Sequence, residues 1–305
     1  MWQFETEQKI FDIGGVQVGG KPGELPTVLI GSIFYEGHKI VTDAVNGVFN
    51  KKMAENLLNK QKEMSEKTAN PCMVDVVALT PQAIQKYIEY VSETTDAPIL
   101  IDSSSAETKI SGVKYAKEIG LSNKIVYNSI NWHSNDEEKK ALETNNVKAT
   151  VILAYNPRNV WPAGRIEILR GDSSQKGLLK IAEEASIEKL LIDTAVLDAP
   201  SIGLAAEAVA LVKKEFGLPC GGGPVNAVSE WKKVEELGIY AKNVCTANAV
   251  AAMQYAGADF VLYGPIGKAE VVFPAAAMTD ALIAYKARVH GIKPKTKNHP
   301  LFKIF

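Results

Sequence analysis

Short runs rich in β-branched residues alternate along this chain with longer segments in which apolar residues recur every three or four positions. Such alternation predicts βα units arranged around a parallel sheet. The eight runs are Thr27–Phe34, Met73–Leu79, Pro98–Ser103, Lys124–Ile130, Thr150–Asn156, Lys189–Val196, Leu218–Gly222 and Ala258–Gly264. Eight strands with helices between them favour an α/β fold of the (β/α)8 TIM-barrel type.

An open, doubly wound sheet is the alternative architecture for this pattern. In such folds a G-x-G-x-x-G sequence commonly opens the helix that follows the first strand. Here Gly14-Gly15 and Gly19-Gly20 precede the first predicted strand instead. The barrel is therefore the favoured interpretation.

The segment before the first run carries a pattern of its own. Lys9–Ile13 and Val16–Val18 flank Gly14-Gly15, a dipeptide that tolerates the positive φ of a two-residue turn. We predict an N-terminal β-hairpin extension within residues 1–26 that plugs the amino-terminal mouth of the barrel. Because no low-complexity linker divides the chain, residues 1–305 are expected to form a single domain.

Charge and composition exclude several classes of protein. Lys and Arg number 34 against 35 Asp and Glu, so the net charge of −1 offers no basic surplus for nucleic acid. The apolar stretches are too short to span a bilayer, and the first residues do not resemble a signal peptide. Three cysteines make no disulfide framework, and no C-x-x-C pair indicates zinc. We expect a cytoplasmic protein without membrane insertion.

Polar side chains follow several of the predicted strands. Chemistry in TIM barrels collects at the carboxyl ends of the strands, and those ends carry Asp102, Asn128, Asp193 and Asn226. Lysine is missing there, which disfavours a Schiff-base enzyme, and the scattered histidines predict no metal site. Carboxylates and carboxamides together suit the edge of a flat heterocycle that presents several donors and acceptors.

Other interpretations of these residues remain open. An Asp or Asn after a strand is often only the cap of the next helix. Asp75 lies inside an apolar strand, where a carboxylate is costly unless paired, so it belongs either to the ligand site or to a structural network. The glycines Gly221–Gly223 suit either a phosphate or the close approach of a flat ring. A lid that includes Tyr35, Glu36 and His38 is a further possibility.

Several long motifs resemble one known family. They are GGKPGELPTVLIGSIFYEGHKIV, IDSSS, VYNSIN, LIDTAV, GGGPVN, VLYGPI and FPAAAMTD, in this order. They resemble the family of the H subunit of tetrahydromethanopterin S-methyltransferase, which includes bacterial methylcorrinoid-protein:tetrahydrofolate methyltransferases of glycine betaine and methylamine metabolism. The resemblance covers essentially the whole chain.

This resemblance implies a TIM barrel of the pterin-binding type and a role for each rim residue. Asp102, Asn128 and Asp193 would bind the pterin ring, together with Gly222. Asn226 would lie beside the pterin nitrogen that carries the methyl group, so Asn226 and Asp193 are the predicted catalytic residues. Dihydropteroate synthase is disfavoured, because the lysine that it carries after the seventh strand has no counterpart around Gly221–Asn226.

One departure from the methanogen proteins influences the functional prediction. After the seventh strand this chain has the sequence GPVNAVSEWKK, and the neighbouring helical segment is shorter than in the methanogen proteins. We take this difference to favour a separate tetrahydrofolate enzyme over a component of the membrane-bound complex. The predicted reaction moves a methyl group from a methylated corrinoid protein to N5 of tetrahydrofolate, giving 5-methyltetrahydrofolate and cob(I)alamin.

The cofactor and partner predictions follow from that reaction. The chain lacks the D-x-H-x-x-G pattern of a cobalamin-binding loop, so the corrinoid must arrive on a separate corrinoid-binding protein that caps the barrel mouth. The family resemblance also implies a homodimer. The alternatives are the H subunit of the membrane-bound tetrahydromethanopterin S-methyltransferase complex, and a phosphate-binding TIM-barrel enzyme that uses Gly221–Gly223.

Overall fold

The computed structural model describes residues 4–173 and 175–305. Its strands are β1 Ile10–Ile13, β2 Val16–Gly19, β3 Val28–Ile33, β4 Val41–Asp43, β5 Val48–Phe49, β6 Cys72–Val77, β7 Ile99–Asp102, β8 Ile125–Ile130, β9 Ala149–Leu153, β10 Lys189–Asp193, β11 Cys220–Gly222 and β12 Phe260–Pro265. Its α-helices are α1 Lys51–Thr68, α2 Pro81–Thr94, α3 Ala106–Glu118, α4 Asp136–Thr144, α5 Pro162–Arg170, α6 Leu178–Glu184, α7 Ile202–Phe216, α8 Pro224–Glu230, α9 Ala241–Tyr255, α10 Ala269–Ala287 and α11 Pro300–Lys303. Short 3-10 helices cover Lys232–Leu237, Ile266–Lys268 and Arg288–His290.

Eight parallel strands close into a barrel within the described part of the chain. Around the barrel the order is β3, β6, β7, β8, β9, β10, β11 and β12, and β12 pairs with β3 to complete the circle. Each of these strands coincides with one of the eight predicted runs, so the predicted TIM barrel is confirmed. Sequential strands are spatial neighbours throughout, as the helical connections between parallel strands require.

The N-terminal hairpin closes the lower end of the barrel. Strands β1 and β2 pair antiparallel around Gly14 and Gly15, whose φ angles of 55° and 89° are open to glycine at little cost. Ile13 and Val18 are fully buried and pack against the innermost apolar side chains of the barrel strands. The predicted hairpin and its place at the amino-terminal mouth are therefore confirmed.

Alternation along the strands divides the barrel interior into layers. The lower layers are apolar and contain, among others, Val28 and Ile30 of β3, Met73 of β6, Leu100 of β7 and Val126 of β8. Because side chains alternate between the two faces of a strand, the next inward position lies two residues further on. On β3, β6, β7, β8 and β10 that position holds a polar residue; these residues are Ser32, Asp75, Asp102, Asn128 and Asp193. The apolar floor thus supports a polar layer at the carboxyl end.

Local sequence signals mark the beginning of α4 and the end of α7. Asn135 begins α4 with a capping box, in which its side chain accepts from the backbone N–H of Glu138 and Glu138 accepts in return. Gly217 ends α7 in the left-handed region, with a φ of 62°. After α8 the chain forms the 3-10 helix Lys232–Leu237 and then the single helix α9.

No helix within residues 4–173 and 175–305 combines the length and the apolar character that crossing a bilayer demands. The organisation of residues 1–305 as one domain stays a prediction.

Candidate active site

The polar layer begins with a cluster on four neighbouring strands, β3, β6, β7 and β8. The barrel register pairs Asp102 of β7 directly with Asn128 of β8. The Asn128 amide donates to Asp75 Oδ1 at 3.2 Å, and the Ser32 hydroxyl donates to Asp75 Oδ2 at 2.7 Å. Asp75 therefore belongs to a hydrogen-bonded network with Ser32 and Asn128, whereas a part in ligand binding stays a prediction.

The carboxyl groups of this cluster hold their protons more tightly than ordinary carboxyls do. Burial raises the pKa of Asp75 to about 6, against the opposing hydrogen bonds from Ser32 and Asn128. Burial also raises the pKa of Asp102 well above its usual value, and the charge of Asp75 raises it further. The buried ammonium of Lys109 acts in the opposite direction on Asp102. The two neighbouring carboxyl groups therefore oppose each other's ionisation.

Asp193 lies at the end of β10, across β9 from Asn128. Its side chain is 9% exposed, and burial raises its pKa to about 6. Asp193 Oδ1 accepts from Ala195 N at 2.8 Å. Asp193 Oδ2 accepts no hydrogen bond from the residues that the structure describes, so this oxygen is available to a ligand.

A buried arginine supports the chain that follows Asp193. Arg165 of α5 is 1% exposed and donates from Nε to Thr194 O at 2.9 Å and from Nη2 to Ala195 O at 3.0 Å. A further nitrogen, Nη1, donates to Val160 O. The positive charge of Arg165 opposes the rise in the pKa of Asp193.

Two glycines make room for the remaining site residues. A Cβ on Gly222 of β11 would lie 3.4 Å from Asp193 Oδ1, so Gly222 borders the Asp193 carboxylate. A phosphate at Gly221–Gly223 would meet that negative charge, which disfavours the phosphate-binding alternative. Asn226 is exposed in the first turn of α8, and its Oδ1 lies 1.9 Å from the position of a Cβ on Gly264.

The predicted site residues therefore lie at one end of the barrel. Asp102 pairs with Asn128, Gly222 borders Asp193, and Asn226 borders Gly264 of β12. Sequence reasoning missed Arg165, Lys109 and Lys268, because each lies on a helix and reaches the strand ends only in the folded protein. A basic residue in a helix that follows a barrel strand was the signal that could have revealed them. Lysines on the protein surface occur in the same helices, so the signal does not separate the two kinds of residue.

Several other residues of the sequence analysis have structural partners. Ser105 caps α3 by accepting from Thr108 N at 3.3 Å. His38 Nδ1 accepts from Phe34 N at 3.1 Å, and its ring stacks on Tyr35 with centroids 4.4 Å apart. These contacts organise the turn after β3. Glu36 is exposed in the same turn.

The arrangement is suited to a flat ligand that is rich in N–H groups. Asp102 and Asp193 present carboxylate oxygens, and a carboxylate accepts two parallel hydrogen bonds from an edge that carries neighbouring N–H donors. Asn128 and Asn226 add groups that both donate and accept. Gly222 borders Asp193 without a side chain of its own, and a Cβ at this position would also meet Met253 Cε at 3.2 Å.

Comparison with solved structures identifies the fold. The dihydropteroate synthase of Xanthomonas albilineans in complex with indole-2-carboxylic acid and 6-chloroguanine superposes with a TM-score of 0.61 at 16% identity, covering 92% of this chain and 98% of that one. The dihydropteroate synthase of Yersinia pestis with a sulfonamide drug complex gives 0.60 at 12% identity, covering 90% and 98%. At such identities the likeness establishes a shared TIM-barrel fold alone.

Comparison with curated sequences corrects the predicted function. The H subunit of tetrahydromethanopterin S-methyltransferase from Methanothermobacter thermautotrophicus is 42% identical over 313 residues, covering 100% of both chains. The H subunit of the putative methyltransferase mtx from Methanosarcina barkeri is 39% identical over 308 residues, covering 99% of each. The prediction of a tetrahydrofolate-accepting enzyme was therefore wrong, and the alternative, the H subunit of tetrahydromethanopterin S-methyltransferase, is the better supported one.

The error arose from a short segment at the barrel rim. The sequence GPVNAVSEWKK forms α8 and the start of the following 3-10 helix, and connections of this kind vary more among relatives than the strands that they join. The likeness to the methanogen proteins extends along the complete length of the chain. The family model described as tetrahydromethanopterin S-methyltransferase MtrH subunit matches residues 6–295. The chain belongs to the MtrH family.

Proposed function

We propose that this protein transfers a methyl group between N5 of tetrahydromethanopterin and the cobalt of a corrinoid carried by a partner protein, as an MtrH-type methyltransferase subunit. Family membership supports the pterin and the reaction class. The observation that carries the proposal is the polar layer at the barrel mouth, where Asp102, Asn128 and Asp193 lie above an apolar floor.

Recognition of the pterin depends on Asp102, Asn128 and Asp193. The pyrimidine part of a pterin presents adjacent N–H groups, and an ionised carboxylate matches such an edge with two parallel hydrogen bonds. The free Oδ2 of Asp193 supports its assignment to this edge. Gly222 lets the ring approach the β11 backbone. A ligand that leaves these buried groups unpaired would be rejected by a factor on the order of 10⁴.

Asn226 is proposed to act at N5. Its carboxamide is exposed at the mouth and able to donate or accept, so it can follow the change in charge at N5 without gaining or losing a proton. N5 gains a proton when its methyl group leaves and loses one when the methyl group arrives. Because Asn226 is exposed at the mouth, that proton can be exchanged with solvent water.

The corrinoid partner must approach the same end of the barrel. The loops that follow β6, β8, β9 and β10 expose Leu79, Trp132, Trp161 and Leu197, each more than 40% accessible. Four exposed aromatic and apolar side chains at one end of the barrel suit contact with another protein. The barrel contributes orientation, which supplies much of the rate advantage when methyl carbon, nitrogen and cobalt must be aligned.

The homodimer stays a prediction, and sedimentation velocity would test it.

Spectroscopy of the corrinoid tests the proposed reaction. Purified protein is mixed with methyltetrahydromethanopterin and a corrinoid protein reduced to the cob(I)alamin state. We expect cob(I)alamin absorption to decay to that of methylcob(III)alamin, and Asn226→Ala to slow this decay far more than it weakens pterin binding. No decay with folded wild-type protein and a competent corrinoid protein would contradict the proposal.

A further inference from the structure

Lys268 is a half-buried lysine at the carboxyl end of the barrel that the proposed reaction does not use. It ends the 3-10 helix Ile266–Lys268, directly after β12. Its Nζ donates to Ser229 Oγ of α8, and the Ser229 hydroxyl in turn donates to Val225 O at 2.7 Å. Because the serine proton is engaged by that carbonyl, the serine oxygen is oriented to accept from the lysine. The ammonium group is thereby held in a defined place.

Among the residues that the structure describes, Lys268 has no acidic partner for its charge. No carboxylate within residues 4–173 and 175–305 forms an ion pair with it, and Glu270, two positions further on, pairs instead with Lys60 at 3.4 Å. The nearby charged group is another cation, Lys242, whose own partner is Glu235 at 3.4 Å. Burial and the charge of Lys242 lower the pKa of Lys268 to about 8. A half-buried cation beside a second cation costs free energy unless an anion joins them.

Lys268 contacts the helix that carries Asn226, the residue proposed to act at N5. Asn226 precedes Ser229 by three positions on α8, so the two side chains share one face of that helix. Asn226 Oδ1 borders Gly264, four residues before Lys268. The loops after the seventh and eighth strands, where Lys268 lies, are the frequent place of phosphate sites in TIM barrels.

We propose that Lys268, oriented by Ser229, forms an anion subsite for the acidic side chain of the pterin substrate. This inference rests on the proposed function. Tetrahydromethanopterin carries a phosphodiester and carboxylates on the chain attached to its ring. These groups are negatively charged and could pair with the ammonium group of Lys268. A corrinoid also carries a phosphodiester, so the test must separate the two sources.

Calorimetric titration with two pterins tests the subsite. The first is tetrahydromethanopterin, and the second is 6-methyltetrahydropterin, which has the ring without the acidic chain. In Lys268→Gln we expect the affinity for tetrahydromethanopterin to fall about tenfold to a hundredfold, which is the usual effect of losing a charge-assisted hydrogen bond. The affinity for 6-methyltetrahydropterin should be unchanged. Ser229→Ala should show a smaller loss of the same kind, and Lys268→Arg should retain most of the affinity.

Lys180→Gln is the matched control, because it removes one positive charge from the exposed pair with Glu183, far along the chain. Equal effects of Lys268→Gln on both pterins, or no effect on either, would overturn the subsite. A raised KM for the corrinoid protein with unchanged pterin affinity would assign the lysine to the corrinoid and overturn it as well. Wild-type protein that binds neither pterin would contradict the proposed function itself, whereas binding both pterins equally would contradict the subsite alone.

Discussion

Arg165 of α5 fixes the turn in which the N–H of Ala195 donates to the Asp193 carboxylate. Its guanidinium binds the carbonyls of Thr194 and Ala195, while the N–H of Ala195 donates to Asp193 Oδ1 at 2.8 Å. Ala195 has a φ of 56°, in the left-handed region that alanine seldom adopts. The arginine therefore holds a turn whose backbone conformation is unfavourable, and that turn determines where the Asp193 carboxylate points.

Replacement of Arg165 by methionine should weaken both the fold and the site. The two buried carbonyls of Thr194 and Ala195, and the partly buried carbonyl of Val160, would lose their donor, at a cost of about 3 kcal/mol in the free energy of unfolding. The pKa of Asp193 should rise, because the positive charge that opposes its increase is removed. Thermal unfolding and the pH dependence of pterin binding measure the two effects. Arg165→Lys, which keeps the charge, should leave the pKa effect small, and an equal rise in both variants would contradict the electrostatic role.

Replacement of Asp193 by asparagine should stabilise the protein while removing its function. The pKa of Asp193 is about 6 in the folded protein against an ordinary value of 3.8. Because the folded state binds this proton more tightly than the unfolded state does, stability falls as pH rises from about 4 to 6 and stays lower above that range. Asparagine has no such cost, so the variant should gain up to about 3 kcal/mol at pH 7.5 and nothing near pH 4. Chemical denaturation at both values measures the difference. An Asp193→Asn variant that is less stable at pH 7.5 would show that the carboxylate is paired more favourably than the contacts indicate.

Pterin binding should depend on pH through the same group. An ionised Asp193 accepts two hydrogen bonds from the pyrimidine edge, whereas the protonated acid accepts fewer. Affinity should therefore be highest above pH 6 and fall by up to about tenfold for each unit below it, with proton release on binding. Titration in buffers of different ionisation enthalpy between pH 5 and 8 counts the protons. The same dependence in Asp193→Asn would assign it to another group, such as Asp75 or the pterin itself.

Gly264→Ala should displace Asn226. The added methyl group would lie 1.9 Å from Asn226 Oδ1, and the φ of 65° at Gly264 also disfavours alanine. We expect slower methyl transfer by at least about tenfold, as small misplacements of a reacting group commonly produce, with little change in the affinity for the pterin ring. Gly267→Ala is the control, since its methyl group would meet only Leu57 at an ordinary 3.6 Å. Equal rates in both variants would remove Asn226 from the reaction.

The sequence predicted the barrel and four rim residues for a physical reason. Strand periodicity and helix caps such as Asn135 are local signals, and the carboxyl ends of parallel strands must meet at one edge. Asp102, Asn128, Asp193 and Asn226 could therefore be assigned to the rim without coordinates. Arg165 and Lys268 could not, because their contacts with Thr194 and Ser229 connect residues 29 and 39 positions apart along the chain. The substrate was misjudged from one rim segment.

Calorimetric titration of tetrahydromethanopterin into wild-type protein and into Asp102→Ala tests the central claim most directly. We predict saturable binding by the wild type and a loss of at least about a hundredfold in the variant, since a buried donor edge would be left without its acceptor. Circular dichroism verifies that the variant is folded. Wild-type protein that fails to bind the pterin, or Asp102→Ala with unchanged affinity, would contradict the assignment of the barrel mouth as a pterin site.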